Sequence, residues 1–288
     1  MALSRAAALP GLHATGHGRH PLHGDSQRWV EKNCYIDLWI ELLHALKLDP
    51  AAMLPLVLAV DFEGDQWTFF KPSHDELRSL YGVDVQELTV WRPLLLHALE
   101  HLSAGKLLST EADAFWLPDV AATDYRRQHV KTTIVLAEVD AEAQRLSYFH
   151  NAGYFALEGE DFRQLFRVGA PSDPAFIPLF AELVRVDRIV HREPNTLARL
   201  SCDLLRKHLA HRPPSNPVVR FGERFTAELP ALQKQGLAHY HAWAFATIRQ
   251  MGAAFELAAE HLAWLRGAGI TPPETSVRAF ERIADGAK

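Results

Sequence analysis

The sequence predicts an α+β fold, with a mixed α and β region over residues 28–168, a helical bundle over residues 169–288, and a poorly ordered lead-in over residues 1–27. Three observations carry this reading. An amphipathic helical stripe starts just after Asn33, β-like runs cluster between residues 106 and 150, and helical period takes over beyond a turn-rich stretch at residues 169–174. Apolar types make up 48% of the chain and charged types 23%, with only 17 Pro and 16 Gly, which are globular proportions. At 288 residues a chain buries roughly three quarters of its unfolded surface, so a sizeable core is expected.

The lead-in carries Pro, Gly and several histidines but no hydrophobic period. Ile36, Trp39, Ile40, Leu43 and Leu46 then recur at helical spacing, and Asp49-Pro50 closes the run. Asn33 is a favoured N-cap, which puts Cys34 in the first helical turn. Between residues 54 and 70, short apolar runs interrupted by Asp61-Phe-Glu-Gly-Asp65 predict two strands joined by an acidic turn. Helical spacing returns over residues 74–81 and 91–102. A strand is expected over residues 106–112, then a loop over residues 117–128. Residues 130–139 and 145–150 form a predicted hairpin around Asp140-Ala-Glu-Ala-Gln144. Beyond residue 174, helices are expected over residues 177–189, 196–210 and 222–229, and along a run from residue 237 to 266.

Thirty basic against thirty-five acidic side chains give a net charge of −5, the wrong sign for a protein that binds by neutralising phosphates, so nucleic acid is not an expected partner. The longest aliphatic stretch, residues 53–60, is far short of the ~18 residues of a membrane span, and the first residues make a poor signal peptide. No membrane partner is expected. Two distant cysteines, Cys34 and Cys202, fit neither a CxxC pair nor a Cys-rich zinc site. The chain therefore reads as cytoplasmic with free thiols.

A thiol in the first turn of a helix meets unpaired N–H groups and the positive end of the dipole, both of which favour its thiolate. A cysteine nucleophile further needs an imidazole as base and a third group to orient the ring, as in a Cys-His-Asn arrangement. His129 opens the first strand of the predicted hairpin and Asn151 closes the second. A turn near residues 141–142 puts Asn151 opposite Thr132, roughly 10 Å along the strand from His129, so a bulge or twist has to close the gap. His150 is the nearest alternative. The order Cys, His, Asn is that of papain-like enzymes, which makes the mixed region a predicted papain-like catalytic domain.

The strings Asn33-Cys-Tyr-Ile-Asp-Leu-Trp39, Asp61-Phe-Glu-Gly-Asp-Gln-Trp-Thr-Phe-Phe70, His129-Val-Lys-Thr-Thr133, Phe149-His-Asn-Ala-Gly-Tyr154 and Thr247-Ile-Arg-Gln-Met-Gly-Ala-Ala-Phe-Glu256 resemble a bacterial family known as a domain of unknown function. More distantly, the cysteine helix and the histidine hairpin resemble the butirosin biosynthesis protein H group of papain-like acyltransferases. The resemblance implies an aminoacyltransferase in which Cys34 takes an aminoacyl unit from the phosphopantetheine arm of a carrier protein and passes it to an amine acceptor. His129 would be the base and Asn151 the orienter. It also implies an aminoacylated carrier protein and an amino acid:carrier protein ligase as partners, with no permanently bound cofactor. Papain-like enzymes use a glutamine shortly before the cysteine in the oxyanion hole, and the resemblance makes Gln27, upstream of Cys34, the candidate for that place beside the backbone N–H of Cys34.

Other residues carry weaker signals. The His13, His17, His20, His23 tract lacks the context of a metal site, and none is expected. Asp113 is the acid picked to contact the substrate amino group, and Asp61 is a second such acid; a solvated acidic turn is the plainer reading for it. Arg126 and Arg127 flank the candidate base and could meet an acidic carrier protein. Arg185, Arg188, Arg192, Arg206, Lys207 and Arg212 form a basic set of the same use, or an ordinary solvated face. His239, Tyr240, His241, Trp243 and Arg249 could line an acceptor pocket or simply pack. Cys202, among leucines, reads as a small buried hydrophobe. Two alternatives stand beside the transferase: a cysteine hydrolase (amidase, peptidase or thioesterase) with the same triad, and a non-catalytic adaptor that binds a carrier protein.

Overall fold

The computed structural model describes residues 4–171 and 178–288. In chain order its strands and α-helices are β1 (Arg5–Ala7), α1 (Cys34–Ala45), β2 (Phe62–Glu63), β3 (Gln66–Trp67), α2 (His74–Tyr81), β4 (Asp84–Glu87), α3 (Leu94–Ser103), β5 (Leu107–Asp113), β6 (Lys131–Asp140), β7 (Arg145–His150), β8 (Gly153–Glu158), α4 (Glu160–Phe166), β9 (Ala181–Arg185), α5 (Pro194–Ala210), α6 (Pro217–Gln235), α7 (Leu237–Ala246), α8 (Ile248–Gly267) and α9 (Glu274–Gly286). The protein is mixed α and β with a helical C-terminal region. It forms two compact units, and neither is a continuous stretch of chain. The first comprises Met1–His20, Asp37–Leu48 and Leu77–Val190; the second comprises Pro21–Ile36, Asp49–Glu76 and His191–Lys288.

The first unit is built on one antiparallel sheet in the order β4-β9-β5-β6-β7-β8. Strand β6 is its spine. Ile134, Val135, Leu136 and Ala137 are all buried, as befits an apolar run covered on both faces. Its length lets two strands share one edge: β5 pairs over Lys131 to Leu136 and β1 over Glu138 to Asp140. Helix α3 packs on β1, β5 and β6. Gly82 ends α2 with φ 71°, and a Cβ there would lie 2.2 Å from the Arg188 carbonyl oxygen, so only glycine lets those backbones meet.

In the second unit, residues 50–59 run as a 3-10 helix whose first turn is capped by Asp49, which accepts the Ala51 N–H at 3.0 Å. It packs against α5 and α8. Two buried side chains fasten it, with Ser201 donating to the Ala52 carbonyl at 2.8 Å and His261 Nδ1 donating to the Ala51 carbonyl at 3.0 Å.

Several expectations are corrected. The lead-in is not loose where it is described, because Arg5–Ala7 forms β1, and His17 Nε2 and the His20 N–H reach the buried Glu41 carboxylate of α1 at 2.6 and 3.0 Å. Nor does the first expected strand after residue 54 form. Pro55 has no N–H for a ladder, and an apolar run reads alike as strand or buried helix. Only the two-residue pair β2 and β3 remains there. The boundary expected at residue 168 falls too early, since β9 adds a strand to the first unit's sheet between β4 and β5. That strand also stands in the middle of the stretch where a helix is expected, residues 177–189, whose described residues 178–189 form no helix; residue 177 lies outside the described residues, as do residues 172–174 of the turn-rich stretch. The long helix expected from residue 237 breaks at Thr247 into α7 and α8.

Candidate active site

Cys34 occupies the first position of α1, and Asn33 caps that helix. The Asn33 Oδ1 accepts the N–H groups of Tyr35 at 3.1 Å and Ile36 at 2.9 Å, while its Nδ2 donates to the Phe70 carbonyl at 3.0 Å. The cap therefore fixes where the helix begins, and with it the thiol's place at the positive end of the dipole. Cys34 is half-buried and in no disulfide. It belongs to the second unit, as does Gln27, whose Nε2 donates to Glu260 at 3.1 Å.

His129 belongs to the first unit and sits two residues before β6. Its Nδ1 donates to Asp113 Oδ2 at 2.6 Å, and its ring stacks on Phe115 with centroids 4.4 Å apart and planes within 12°. The sheet dictates the pair. Asp113 lies opposite Lys131, so His129, two residues earlier and on the same face, is its diagonal neighbour. The other oxygen of Asp113 accepts the Phe115 N–H at 3.1 Å. One short segment thus supplies both the carboxylate and the aromatic shelf. The dyad faces solvent, with the His129 side chain 69% exposed and that of Asp113 36%.

Asn151 lies elsewhere. It occupies the turn between β7 and β8 with φ 43°, the left-handed region that asparagine tolerates. A bulge between Leu136 and Glu138 shifts the β6–β7 register so that Val135 faces Phe149. Continued to the end of β7, that register puts Asn151 level with Thr133, farther from His129 than expected. Its neighbour His150 is 1% exposed and engaged on both sides. Nδ1 donates to Asp119 Oδ2 at 2.6 Å, and Thr132 Oγ1 is 2.8 Å from Nε2. The Tyr148 hydroxyl donates to the same carboxylate. Burial first, then the charge of Asp119, push the Tyr148 phenol far above its ordinary value, so it remains a donor.

This buried cluster holds the loop that delivers His129. Asp119 pins the loop's start, and Tyr125 and Arg126 pin its end by binding Asp161 of α4, Tyr125 at 2.9 Å. Arg126 also lies over the Trp116 ring at 4.4 Å. Asp119 and Asp161 were missed from sequence because each partner comes from a distant element; the only local signal was the crowding of Asp, Tyr and Arg in residues 117–128.

The remaining residues are engaged. Arg127 donates to the Ala122 carbonyl at 2.7 Å, and Asp61 pairs with Arg220 in the second unit. Three members of the basic set are answered by acids, with Arg185 on Asp187, Arg206 on Asp203 and Lys207 near Glu76. Its members divide between the two units. Tyr240 and Trp243 join a ring cluster with Phe221 and Phe225. Burial pushes the Cys202 thiol up, which suits a packing role beside Leu262, Leu265 and Val277. Among the described residues, no group of three or more His, Cys, Asp or Glu is arranged to hold a metal ion, and no helix is long and apolar enough to cross a membrane.

The model of the DUF1839 N-terminal domain matches residues 18–186, and that of the DUF1839 C-terminal domain matches residues 194–288. The chain belongs to the DUF1839 family. No curated protein and no solved structure matches it. The junction between the two DUF1839 domain models falls just after β9, which agrees with that strand's place in the first unit's sheet.

Proposed function

We propose that this DUF1839 protein is a papain-like, cysteine-dependent aminoacyltransferase of the cytoplasm. Its donor is an aminoacyl thioester on the phosphopantetheine arm of a carrier protein, loaded by an amino acid:carrier protein ligase. Its acceptor is a small-molecule amine. The observation that carries the reading is the capped first turn of α1, where Asn33 holds Cys34 at the helix N-terminus. The second support is the His129–Asp113 pair, in which the carboxylate fixes Nδ1 as the protonated nitrogen and leaves Nε2 to take and return a proton. In this reading Asp113, rather than Asn151, orients the ring.

The chemistry balances in two steps. The Cys34 sulfur attacks the thioester carbonyl carbon; a new C–S bond forms, the bond to the carrier arm breaks, and the carrier thiol leaves with the proton that Cys34 gave up. The amine nitrogen then attacks the Cys34 thioester, His129 takes its proton, an amide forms, and the proton returns to the cysteine sulfur. Donor and intermediate are both thioesters, so the first step is close to balanced, and exclusion of water decides between transfer and hydrolysis.

Intact-mass measurement after incubation with an aminoacylated carrier protein tests the proposal. An aminoacyl adduct is expected on the wild type and absent from Cys34→Ala; an adduct that survives that substitution removes Cys34 from the mechanism. The openness of the His129–Asp113 pair to solvent favours one second reading, hydrolysis with the same groups. Release of free amino acid at the same rate with and without added amines would select it.

A further inference from the structure

The loop that carries His129 has little packing of its own. None of residues 121–130 is buried, whereas Leu117 and the Asp119 carboxylate before them and Thr132 and Ile134 after them are. A segment with so few buried contacts opens easily unless hydrogen bonds hold it. Here they form a chain. The Val120 carbonyl accepts the N–H groups of Thr123 and Asp124, each at 3.0 Å, and the Asp124 carbonyl accepts those of Arg127 at 2.9 Å and Gln128 at 3.1 Å. The wound backbone runs from the residue after Asp119 to the residue before His129, so a shift at one end is passed to the other.

His150 fastens the near end of that chain to the sheet. Its Nδ1 donates to Asp119 Oδ2 at 2.6 Å, and its Nε2 lies 2.8 Å from the Thr132 hydroxyl. Thr132 is held opposite Ala112 in the β5–β6 ladder, three residues after His129. One imidazole therefore sets the spacing between the turn of Pro118–Val120, where the loop starts, and the strand into which it leads. All three side chains are buried, so solvent does not take over a bond that is lost. The two arms are unequal. Thr132 keeps its place through the ladder, whereas Asp119 belongs to the loop and moves with it.

From this geometry we infer that His150 is a positioning residue for His129, acting through Asp119 and the wound loop. Its hold on Asp119 keeps the His129 ring against the Asp113 carboxylate, which accepts Nδ1–H at 2.6 Å, and so keeps the Nε2 lone pair available for proton transfer. What that lone pair does in the reaction rests on the acyl-transfer reading; where the ring is held does not. Tyr148 donates to the same Asp119 carboxylate and supplies the control, because its loss leaves both bonds of His150 in place.

Two readouts on the full chain test it: the imidazole nitrogen chemical shifts of His129, measured by NMR at a pH where the ring is neutral, and the kinetics of acyl transfer. The wild type is expected to show the Nδ1-protonated tautomer. In His150→Phe and His150→Gln both tautomers should appear, and kcat should fall at least tenfold with KM within twofold, because a base out of place loses its reactive geometry. A glutamine nitrogen takes the place of Nε2 and an asparagine nitrogen that of Nδ1, so His150→Asn keeps the Asp119 arm and should restore the wild-type tautomer and at least a third of the rate. Tyr148→Phe should melt at a lower temperature yet keep both tautomer and rate. The glutamine variant carries the test should the phenylalanine variant not fold. A wild-type tautomer in His150→Gln, an asparagine variant as impaired as the glutamine one, or mixed tautomers in Tyr148→Phe would each overturn the inference. The tautomer readout needs no turnover: a protein that forms no adduct on Cys34 but mixes its His129 tautomers in His150→Gln overturns the transfer reading and upholds the positioning.

Discussion

Asp113 is the residue on which the His129 assignment turns. Its carboxylate selects the Nδ1-protonated tautomer, and the Phe115 shelf fixes only the ring plane. Asp113→Asn should therefore lower acyl transfer by about 10²-fold or more, with the Cys34 adduct still forming slowly, whereas Asn151→Ala should change the rate by less than about threefold, the order expected where no hydrogen bond to the base is lost. Single-turnover assays of the two variants side by side decide which residue orients the base. The sequence pointed to His129 through its place at a strand's start but not to Asp113 as its hydrogen-bond partner, because that partner lies on β5 and the cross-strand register of Asp113 with Lys131 brings the two together. A second residue sets a pH dependence. His261 is buried on α8 and donates Nδ1–H to the Ala51 carbonyl, and burial lowers its pKa from 6.5 to about 4. The folded state then binds fewer protons than the unfolded chain between pH 6.5 and 4, so stability falls as pH drops through that window and levels off below it. The full effect is about 3 kcal/mol. Urea titrations at pH 7 and 5 should show a smaller loss in His261→Gln than in the wild type.

At the scale of elements, α1 was the most legible part of the chain. Its cap and its first residue agree, since Asn33 closes the first turn, but the amphipathic stripe does not hold, because residues 35–43 are buried on every face, Asp37 and Glu41 included. The cap is also the element's weak point. Asn33→Ala removes two acceptor contacts and the donor to the buried Phe70 carbonyl, so a loss of about 2 kcal/mol is expected by denaturant unfolding, more than an exposed cap costs. Asn33→Asp keeps the cap but gives up the donor and should fall between. The hairpin of β6 and β7 was legible because a Thr-, Val- and Ile-rich run and a second, partly aromatic run flank a polar turn. Four strands escaped: β1, β4, β8 and β9. β4 is only four residues long, and β9, Ala-Glu-Leu-Val-Arg, carries no turn signal that separates it from the helices after it. The 3-10 stretch over residues 50–59 was hidden by its own uniformity, because a run buried along nearly its whole length has no periodicity to show.

The two compact units set the behaviour of the whole chain. Sequence composition divides it once, near residue 168, and the family models divide it once, after residue 186, but the second unit draws on three separate stretches. Its helices depend on the early ones. The carboxylate of Glu256 on α8 accepts the N–H groups of Arg28 at 2.7 Å and Trp29 at 3.1 Å, Ser201 and His261 bind the backbone of residues 51–52, and Arg220 pairs with Asp61. Gly252 lies so close to the Trp29 ring that a Cβ there would sit 2.6 Å from its Nε1, a fit that leaves a flat hollow when the indole is gone. A fragment of residues 191–288 therefore exposes the buried Glu256 and His261 together with the apolar faces of α5 and α8. It should show the helical circular dichroism signal only in part and unfold without a cooperative transition, whereas the full chain unfolds cooperatively. Adding a peptide of residues 21–76 should restore cooperativity in proportion to its concentration, because these contacts lie within one unit and need no covalent link to form. Were the 191–288 fragment to melt sharply by itself, the early segments would be ornaments on an autonomous helical domain, and the division of the chain after residue 186 would describe folding as well as sequence.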